Sequence, residues 1–138
     1  MDRAFYFDRI YPFQDRLLRI LCRLKTGFYL TGGTAASRGY LEHRFSDDLD
    51  FFTNDDPSFA LWCDRVIQGW GEAERVEVRQ RDRRFCRLIL FSDALELKVE
   101  LVDDVPSRVG DLVEHPVLGR LDSAENILAN KVSAHCPY

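Results

Sequence analysis

The chain has 138 residues, of which 46% are hydrophobic and 12% aromatic, so it can bury a core and is not a disordered segment. Its net charge of −4 excludes a generically basic nucleic-acid coat protein. No apolar run approaches the ~20 residues of a membrane span, and the first residues lack the pattern of a secretory signal.

The first half of the chain predicts two helices and two strands. Apolar residues at helical spacing predict a helix over residues 9–25, with Gly27 as its C-terminal stop. The apolar run at 28–30 predicts a strand, which a glycine turn joins to a helix over 35–43. Residues 48–53 predict the second strand.

The second half of the chain predicts a helix, three strands and a last helix. The first of these begins at Pro57 and carries apolar residues at helical spacing as far as Trp70. The three strands, joined by short hairpin turns, cover residues 75–81, 85–91 and 95–102. Residues 104–121 are predicted to be mostly loop, and Asp122 caps a last helix that continues to Ala134.

The order α-β-α-β-α-β-β-β-α predicts the α/β (α+β) class, with a mixed β-sheet flanked by helices in a single domain over residues 1–138. Four cysteines lie far apart, with no CxxC pair and no histidine pair at zinc spacing. Together with the absence of a secretory pattern, this predicts reduced thiols and a cytoplasmic protein.

The acidity of the chain is concentrated in one segment. Residues 46–56 hold five acids and no base, whereas the rest of the chain is about neutral. Because alternate residues of a strand share a face, Asp48 and Asp50 project together, about 6.5–7 Å apart. Such a pair can bind two metal ions that activate a hydroxyl and stabilise a leaving phosphate. Solvated acids at a strand edge are the alternative interpretation.

Two further features are compatible with phosphate chemistry. Gly32, Gly33 and Thr34 occupy a strand-to-helix turn, where glycine lets a phosphate approach the backbone and a helix N-terminus favours an anion. Glu100 lies in the middle of an apolar strand and completes a metal site if that strand lies beside the acidic one. The alternative is a simple alternating strand in which Glu96, Lys98 and Glu100 share a solvated face of the sheet.

The segments 29–36 (YLTGGTAA) and 43–52 (HRFSDDLDFF) resemble the nucleotidyltransferase family of abortive-infection toxins, the AbiEii/AbiGii group. This group belongs to the polymerase-β-like nucleotidyltransferase superfamily, whose motif is a glycine turn, a spacer and a carboxylate–apolar–carboxylate triplet. Here 13 residues separate Thr34 from Asp48. The resemblance resumes at 124–131 (AENILANK), which is similar to the family's helix with a functional lysine.

The resemblance implies a polymerase-β-like core that transfers a nucleoside monophosphate from a nucleoside triphosphate to an acceptor. The implied cofactor is Mg²⁺ in a two-metal site, with Mn²⁺ as a substitute. The implied metal ligands are Asp48, Asp50 and Glu100, and the implied catalytic residues are these three and Lys131. Glu100 would also deprotonate the acceptor hydroxyl. The implied nucleotide-binding residues are Gly32, Gly33, Thr34, Arg44, Ser46 and Lys131.

The resemblance also implies partners. The acceptor would be RNA, with tRNA as the first candidate, or protein. A cognate antitoxin and a second copy of the chain are further candidates, and no membrane is implied. Members of the family usually continue beyond the lysine helix, so we expect this chain to lack their C-terminal part.

Two other functions stay open at this point. One is a small-molecule nucleotidyltransferase that modifies an antibiotic, for which Asp55 and Asp56 would provide acidic groups near the acceptor. The other is a catalytically inactive, truncated relative that acts as a binding module.

Overall fold

The structure of the protein, a computed structural model, describes residues 3–41, 48–105 and 110–127. Its helices are α1 (Arg3–Phe5), the π-helix π1 (Tyr6–Ile10), α2 (Tyr11–Leu24), α3 (Gly32–Thr34), the π-helix π2 (Ala35–Leu41) and α4 (Phe59–Gly71). Its strands are β1 (Tyr29–Thr31), β2 (Leu49–Asn54), β3 (Arg75–Asp82), β4 (Phe85–Ser92), β5 (Leu95–Asp104), β6 (Val113–His115) and β7 (Gly119–Leu121). A last helical turn covers residues 124–127.

The seven strands form one mixed sheet in the order β3-β4-β5-β2-β1-β7-β6. The pairs β2–β5 and β1–β7 are parallel, and the other neighbouring pairs are antiparallel. The predicted mixed sheet with helices is therefore confirmed, and each predicted helix and strand has a counterpart among the described residues. No helix in this part of the chain combines the length and apolarity needed to cross a membrane.

The core lies between one face of the sheet and the helices α2 and α4. Every second residue of β2, β4 and β5 is buried, because successive side chains of a strand point to opposite faces. Trp70 of α4 is fully buried, its ring contacts Phe51 of β2, and its Nε1 donates to the Leu17 carbonyl of α2 at 3.0 Å. The same alternation leaves Asp50 and Glu100 on the other, partly exposed face.

The first long helix ends differently from the prediction. The last residue of α2 is Leu24, and Lys25 after it has the left-handed conformation, with φ 52°. The sequence predicted Gly27 as the residue that ends this helix. A Cβ on Gly27 would lie 2.7 Å from Oδ2 of Asp56 and 2.9 Å from Nε1 of Trp62. Gly27 is therefore needed for a close approach of the chain to α4, and the predicted role as helix stop is wrong.

The predicted loop over residues 104–121 contains the hairpin of β6 and β7, so that prediction is wrong in part. The turn between these strands is held by His115, whose Nδ1 accepts the backbone N–H groups of Val117 and Leu118 at 3.1 and 3.0 Å. Because each strand has three residues, neither is long enough for an alternating pattern to be recognised. The hairpin nevertheless extends the sheet beside β1.

The last helical turn begins one residue later than predicted. Ser123, not Asp122, is the N-cap, because Oγ of Ser123 accepts the backbone N–H of Asn126 at 3.0 Å. Asp122 is buried and accepts the Thr31 hydroxyl at 2.8 Å and the Asn126 side-chain amide. Asp122 therefore joins this turn to β1. The predicted continuation to Ala134 lies outside the described residues.

Candidate active site

A row of polar side chains crosses four neighbouring strands on the sheet face opposite the helical core. In the register of the sheet, Thr31 pairs with Asp50, Asp50 with Glu100, and Glu100 with Arg87. Paired residues of neighbouring strands share a face, and the strands lie about 4.8 Å apart. The structure thus puts the strand of Glu100 directly beside the acidic strand, and the two carboxyl groups are neighbours.

Asp50 is the most strongly perturbed acid of this row. The pKa of its carboxyl group is raised from 3.8 to about 6, first by burial and then by the negative charges of Glu100 and Asp48, while Lys98 acts in the opposite direction. Asp50 therefore lies close enough to both other predicted metal ligands to be repelled by them. Such repulsion is what a bound cation relieves.

Two basic residues pair with the other two acids. Lys98 Nζ lies 3.4 Å from Oδ2 of Asp48. Arg87 donates from Nε and Nη2 to Oε2 of Glu100 at 3.0 and 2.9 Å. Neither base is among the predicted site residues. Alternation in β5 puts Lys98 on the face of Glu100, but Arg87 lies opposite Glu100 only in the observed register, in which Ser92 pairs with Leu95, and not in the predicted hairpin with its three-residue turn.

The glycine turn after β1 packs against the two aspartates. Gly32 has φ +75°, and a Cβ there would overlap the carboxylate of Asp50. Gly33 is exposed, whereas Thr34 is buried and its hydroxyl donates to the Asp48 carbonyl. The hydroxyl of Thr34 therefore ties the turn to β2. The predicted contact of Thr34 with a nucleotide stays a prediction.

The donor set fits a hard divalent cation at Asp48 and Asp50. Carboxylate oxygens are the ligands that Mg²⁺ prefers, and the mutual repulsion of the acids is the charge that such an ion would neutralise. Within residues 3–41, 48–105 and 110–127, no group of three or more acidic, histidine or cysteine side chains could hold a metal ion, so Asp48, Asp50 and Glu100 do not form a three-ligand site in this structure. Glu100 has its Oε2 bound by Arg87, so that oxygen is already engaged by a base.

The other residues proposed from the sequence either lie away from Asp50 or fall outside the described residues. Asp55 follows the far end of β2, about 16 Å along the extended strand from Asp50, and pairs with Arg84. Asp56 accepts the Trp62 indole N–H at 2.8 Å. Both acids are thus engaged by other side chains, and their predicted place near an acceptor stays a prediction. Three predicted nucleotide-binding residues lie outside the described residues, namely Arg44, Ser46 and Lys131.

Comparison with known proteins gives matches in sequence and in fold. The family model of the nucleotidyl transferase AbiEii toxin, from type IV toxin–antitoxin systems, matches residues 16–134. The fold is similar to the crystal structure of a Helicobacter pylori protein assigned as a nucleotidyltransferase, with a TM-score of 0.64 and 20% identity over 88% of this chain and 57% of that one. It is also similar to JHP933 from Helicobacter pylori, with a TM-score of 0.63 and 22% identity over 89% of this chain and 56% of the other.

The chain therefore spans little more than half the length of these two proteins, and at such identities the likeness is one of fold. The comparison with curated proteins gives no match.

Proposed function

The chain belongs to the nucleotidyl transferase AbiEii toxin family, and we propose that it transfers a nucleoside monophosphate from a nucleoside triphosphate to an acceptor, with Mg²⁺ held by Asp48 and Asp50. In this reaction the acceptor oxygen forms a bond to the α-phosphorus. The bond from the α-phosphorus to the oxygen that bridges it to the β-phosphate breaks, and pyrophosphate leaves with the electron pair.

The observation that carries the proposal is the position of the acidic row beside the glycine turn. Asp50 and Glu100 are paired across β2 and β5, and Gly32 touches the Asp50 carboxylate from the end of β1. Nucleotidyl transfer needs a backbone turn that accepts phosphates and carboxylates that hold a metal ion within the reach of one triphosphate. The glycine turn and the paired carboxylates on adjacent strands support this proposal.

Each residue then has a role. Asp48 and Asp50 hold the cation, which when bound offsets the charge of the phosphates and acidifies a bound hydroxyl. Glu100 accepts the proton of the acceptor hydroxyl as a general base. Arg87 orients Glu100 through two hydrogen bonds to one carboxylate oxygen.

The glycine turn is proposed to hold the triphosphate. Gly33 is exposed at the surface of the turn, and glycine allows phosphate oxygens to approach the backbone closely. Gly32 keeps the turn against the carboxylates. The proposed contacts of Arg44, Ser46 and Lys131 with the nucleotide rest on the family resemblance alone.

The partners are proposed from the family. The acceptor is RNA, with tRNA tested first, or protein, and a cognate antitoxin counteracts the chain in the cytoplasm. A homodimer is a further proposed state. The small-molecule alternative depended on Asp55 and Asp56 as free acidic groups near the acceptor. In the structure both carboxylates are engaged by other side chains, so these residues no longer support that alternative.

The experiment is incorporation of label from each of the four α-labelled nucleoside triphosphates, with Mg²⁺, into total RNA, tRNA and protein. The wild type is compared with the double variant Asp48→Asn plus Asp50→Asn. Asp55→Asn is the matched control, because it makes the same chemical change in the same segment but outside the site. We expect incorporation by the wild type and the control, and a loss of at least about 100-fold in the double variant.

Equal incorporation by the wild type and the double variant would remove the assigned mechanism. Absence of incorporation together with absence of Mg–nucleotide binding by calorimetry would favour the binding-module alternative. Altered antibiotic susceptibility of expressing cells, without labelled RNA or protein, would favour the small-molecule alternative.

A further inference from the structure

A lysine outside the predicted set of site residues lies within the acidic site. Lys98 precedes Glu100 by two residues in β5, so both side chains project from the same face of the sheet. Its Nζ lies 3.4 Å from Oδ2 of Asp48. The ammonium group of Lys98 therefore occupies the neighbourhood of a carboxylate that is proposed to hold Mg²⁺.

We propose that Lys98 exchanges partners during nucleotide binding: it pairs with Asp48 in the metal-free protein, and it contacts the triphosphate when Asp48 holds Mg²⁺. This inference rests on the proposed function. A metal ion at Asp48 would repel the ammonium group and neutralise the charge that attracts it, so metal binding would weaken the pair of Lys98 and Asp48. The phosphates of the incoming nucleotide then offer a new acceptor for its charge.

The geometry of the pair suits such an exchange. The Lys98 and Asp48 side chains are 41% and 45% exposed, and exposed ion pairs of this kind contribute little to stability. Lysine carries its charge on a flexible four-carbon stem, which can turn toward a new partner without a change in the backbone. The ion pair is therefore weak enough to break, and the Lys98 side chain is flexible enough to reach a new partner.

The second base of the site behaves differently. Arg87 donates two hydrogen bonds to the same oxygen of Glu100, and the Glu100 side chain is only 21% exposed. A planar guanidinium held by two hydrogen bonds keeps its position, so Arg87 is less able than Lys98 to leave its carboxylate for another partner. Among the described bases of the acidic site, Lys98 is thus the one suited to change partners.

The inference predicts two effects of opposite sign for Lys98→Met. Removing the competing ammonium group should tighten the binding of a metal ion alone, by about threefold to tenfold. Removing a phosphate ligand should weaken the binding of a triphosphate in the presence of Mg²⁺, by about tenfold. A purely structural role of Lys98 would change both affinities in the same direction.

The experiment uses the full chain and two probes. Mn²⁺ binding is followed by the loss of the free-ion electron paramagnetic resonance signal, without nucleotide. Inorganic tripolyphosphate, which has the phosphate chain common to all nucleoside triphosphates, is titrated calorimetrically in excess Mg²⁺. The variants are Lys98→Met, Lys98→Gln and Lys98→Arg, and Lys25→Met is the control because Lys25 lies at the C-terminal end of α2.

We expect tighter Mn²⁺ binding and weaker tripolyphosphate binding for Lys98→Met and Lys98→Gln, and no change for the Lys25 control. Lys98→Arg, which keeps the charge, should bind tripolyphosphate within about threefold of the wild type. The inference is overturned if the two neutral variants weaken both affinities or leave either one unchanged. If Asp48→Asn plus Asp50→Asn binds Mn²⁺ as the wild type does, the metal site itself, and with it the proposed function, is wrong instead.

Discussion

Replacing Asp50 with asparagine should stabilise the fold when no divalent cation is present. Asp50 is partly buried beside Glu100, and the pKa of its carboxyl group is raised to about 6 by burial first and then by neighbouring negative charge. At neutral pH the folded chain therefore holds a carboxylate that its surroundings disfavour. Asparagine has nearly the same shape and carries no charge, so it removes this cost.

The magnitude follows from proton linkage. Between about pH 4 and pH 6 the unfolded chain has released the Asp50 proton, whereas the folded chain still retains it, so this group lowers stability as the pH rises. A pKa that changes from 3.8 to about 6 corresponds to about 3 kcal/mol. Solvent contact reduces this value, so we expect a gain of about 1–2 kcal/mol at pH 7.5 and almost none below about pH 3, where both states are protonated.

The assay is urea unfolding of the wild type and Asp50→Asn across this pH range, with a chelator present and with Asp55→Asn as the control. The difference between wild type and Asp50→Asn should grow between about pH 4 and pH 6 and then level off. Added Mg²⁺ should stabilise the wild type more than the variant, because the variant keeps only one of the two proposed carboxylate ligands, Asp48. A variant that is less stable than the wild type at pH 7.5, or a difference independent of pH, would refute the reasoning.

Three further substitutions test how the site is supported, each by urea unfolding. Gly32→Ala forces a Cβ into the carboxylate of Asp50 at φ +75° and should cost about 1–3 kcal/mol and most of the transfer activity. Asp122→Ala leaves its buried hydrogen-bond donors without their acceptor and should cost about 2–4 kcal/mol; a loss below about 0.5 kcal/mol would contradict its role as a link to β1. Trp70→Phe removes the hydrogen bond to Leu17 and leaves a cavity, so it should cost about 2–3 kcal/mol, and an unchanged midpoint would exclude that contribution.

Local patterns were sufficient to predict most of the sheet and one half of the site. The alternation in β2 and β5 fixes which side chains share a face, so the common face of Asp48 and Asp50 follows from the sequence. Gly32 at the end of β1 has the positive φ that a glycine turn requires. Both features depend on neighbours in the chain, and such features are the ones that periodicity can identify.

Features that depend on contacts distant in sequence could not be predicted in the same way. The position of β5 beside β2 joins residues fifty apart, and the pairing of Asp48 with Lys98 follows only once that register is known. The hairpin of β6 and β7 is too short for a pattern. Asp55 was predicted near the site because it is close in sequence, but an extended strand carries it about 16 Å away.

The central claim is that Asp48 and Asp50 support metal-dependent nucleotidyl transfer, and the most direct measurement compares α-labelled with γ-labelled nucleoside triphosphates. The account predicts that α-label enters RNA or protein in the presence of Mg²⁺ and that γ-label is recovered in pyrophosphate. It also predicts a loss of at least about 100-fold for Asp48→Asn plus Asp50→Asn, with Asp55→Asn unaffected. Undiminished incorporation of α-label by the double variant would contradict the claim.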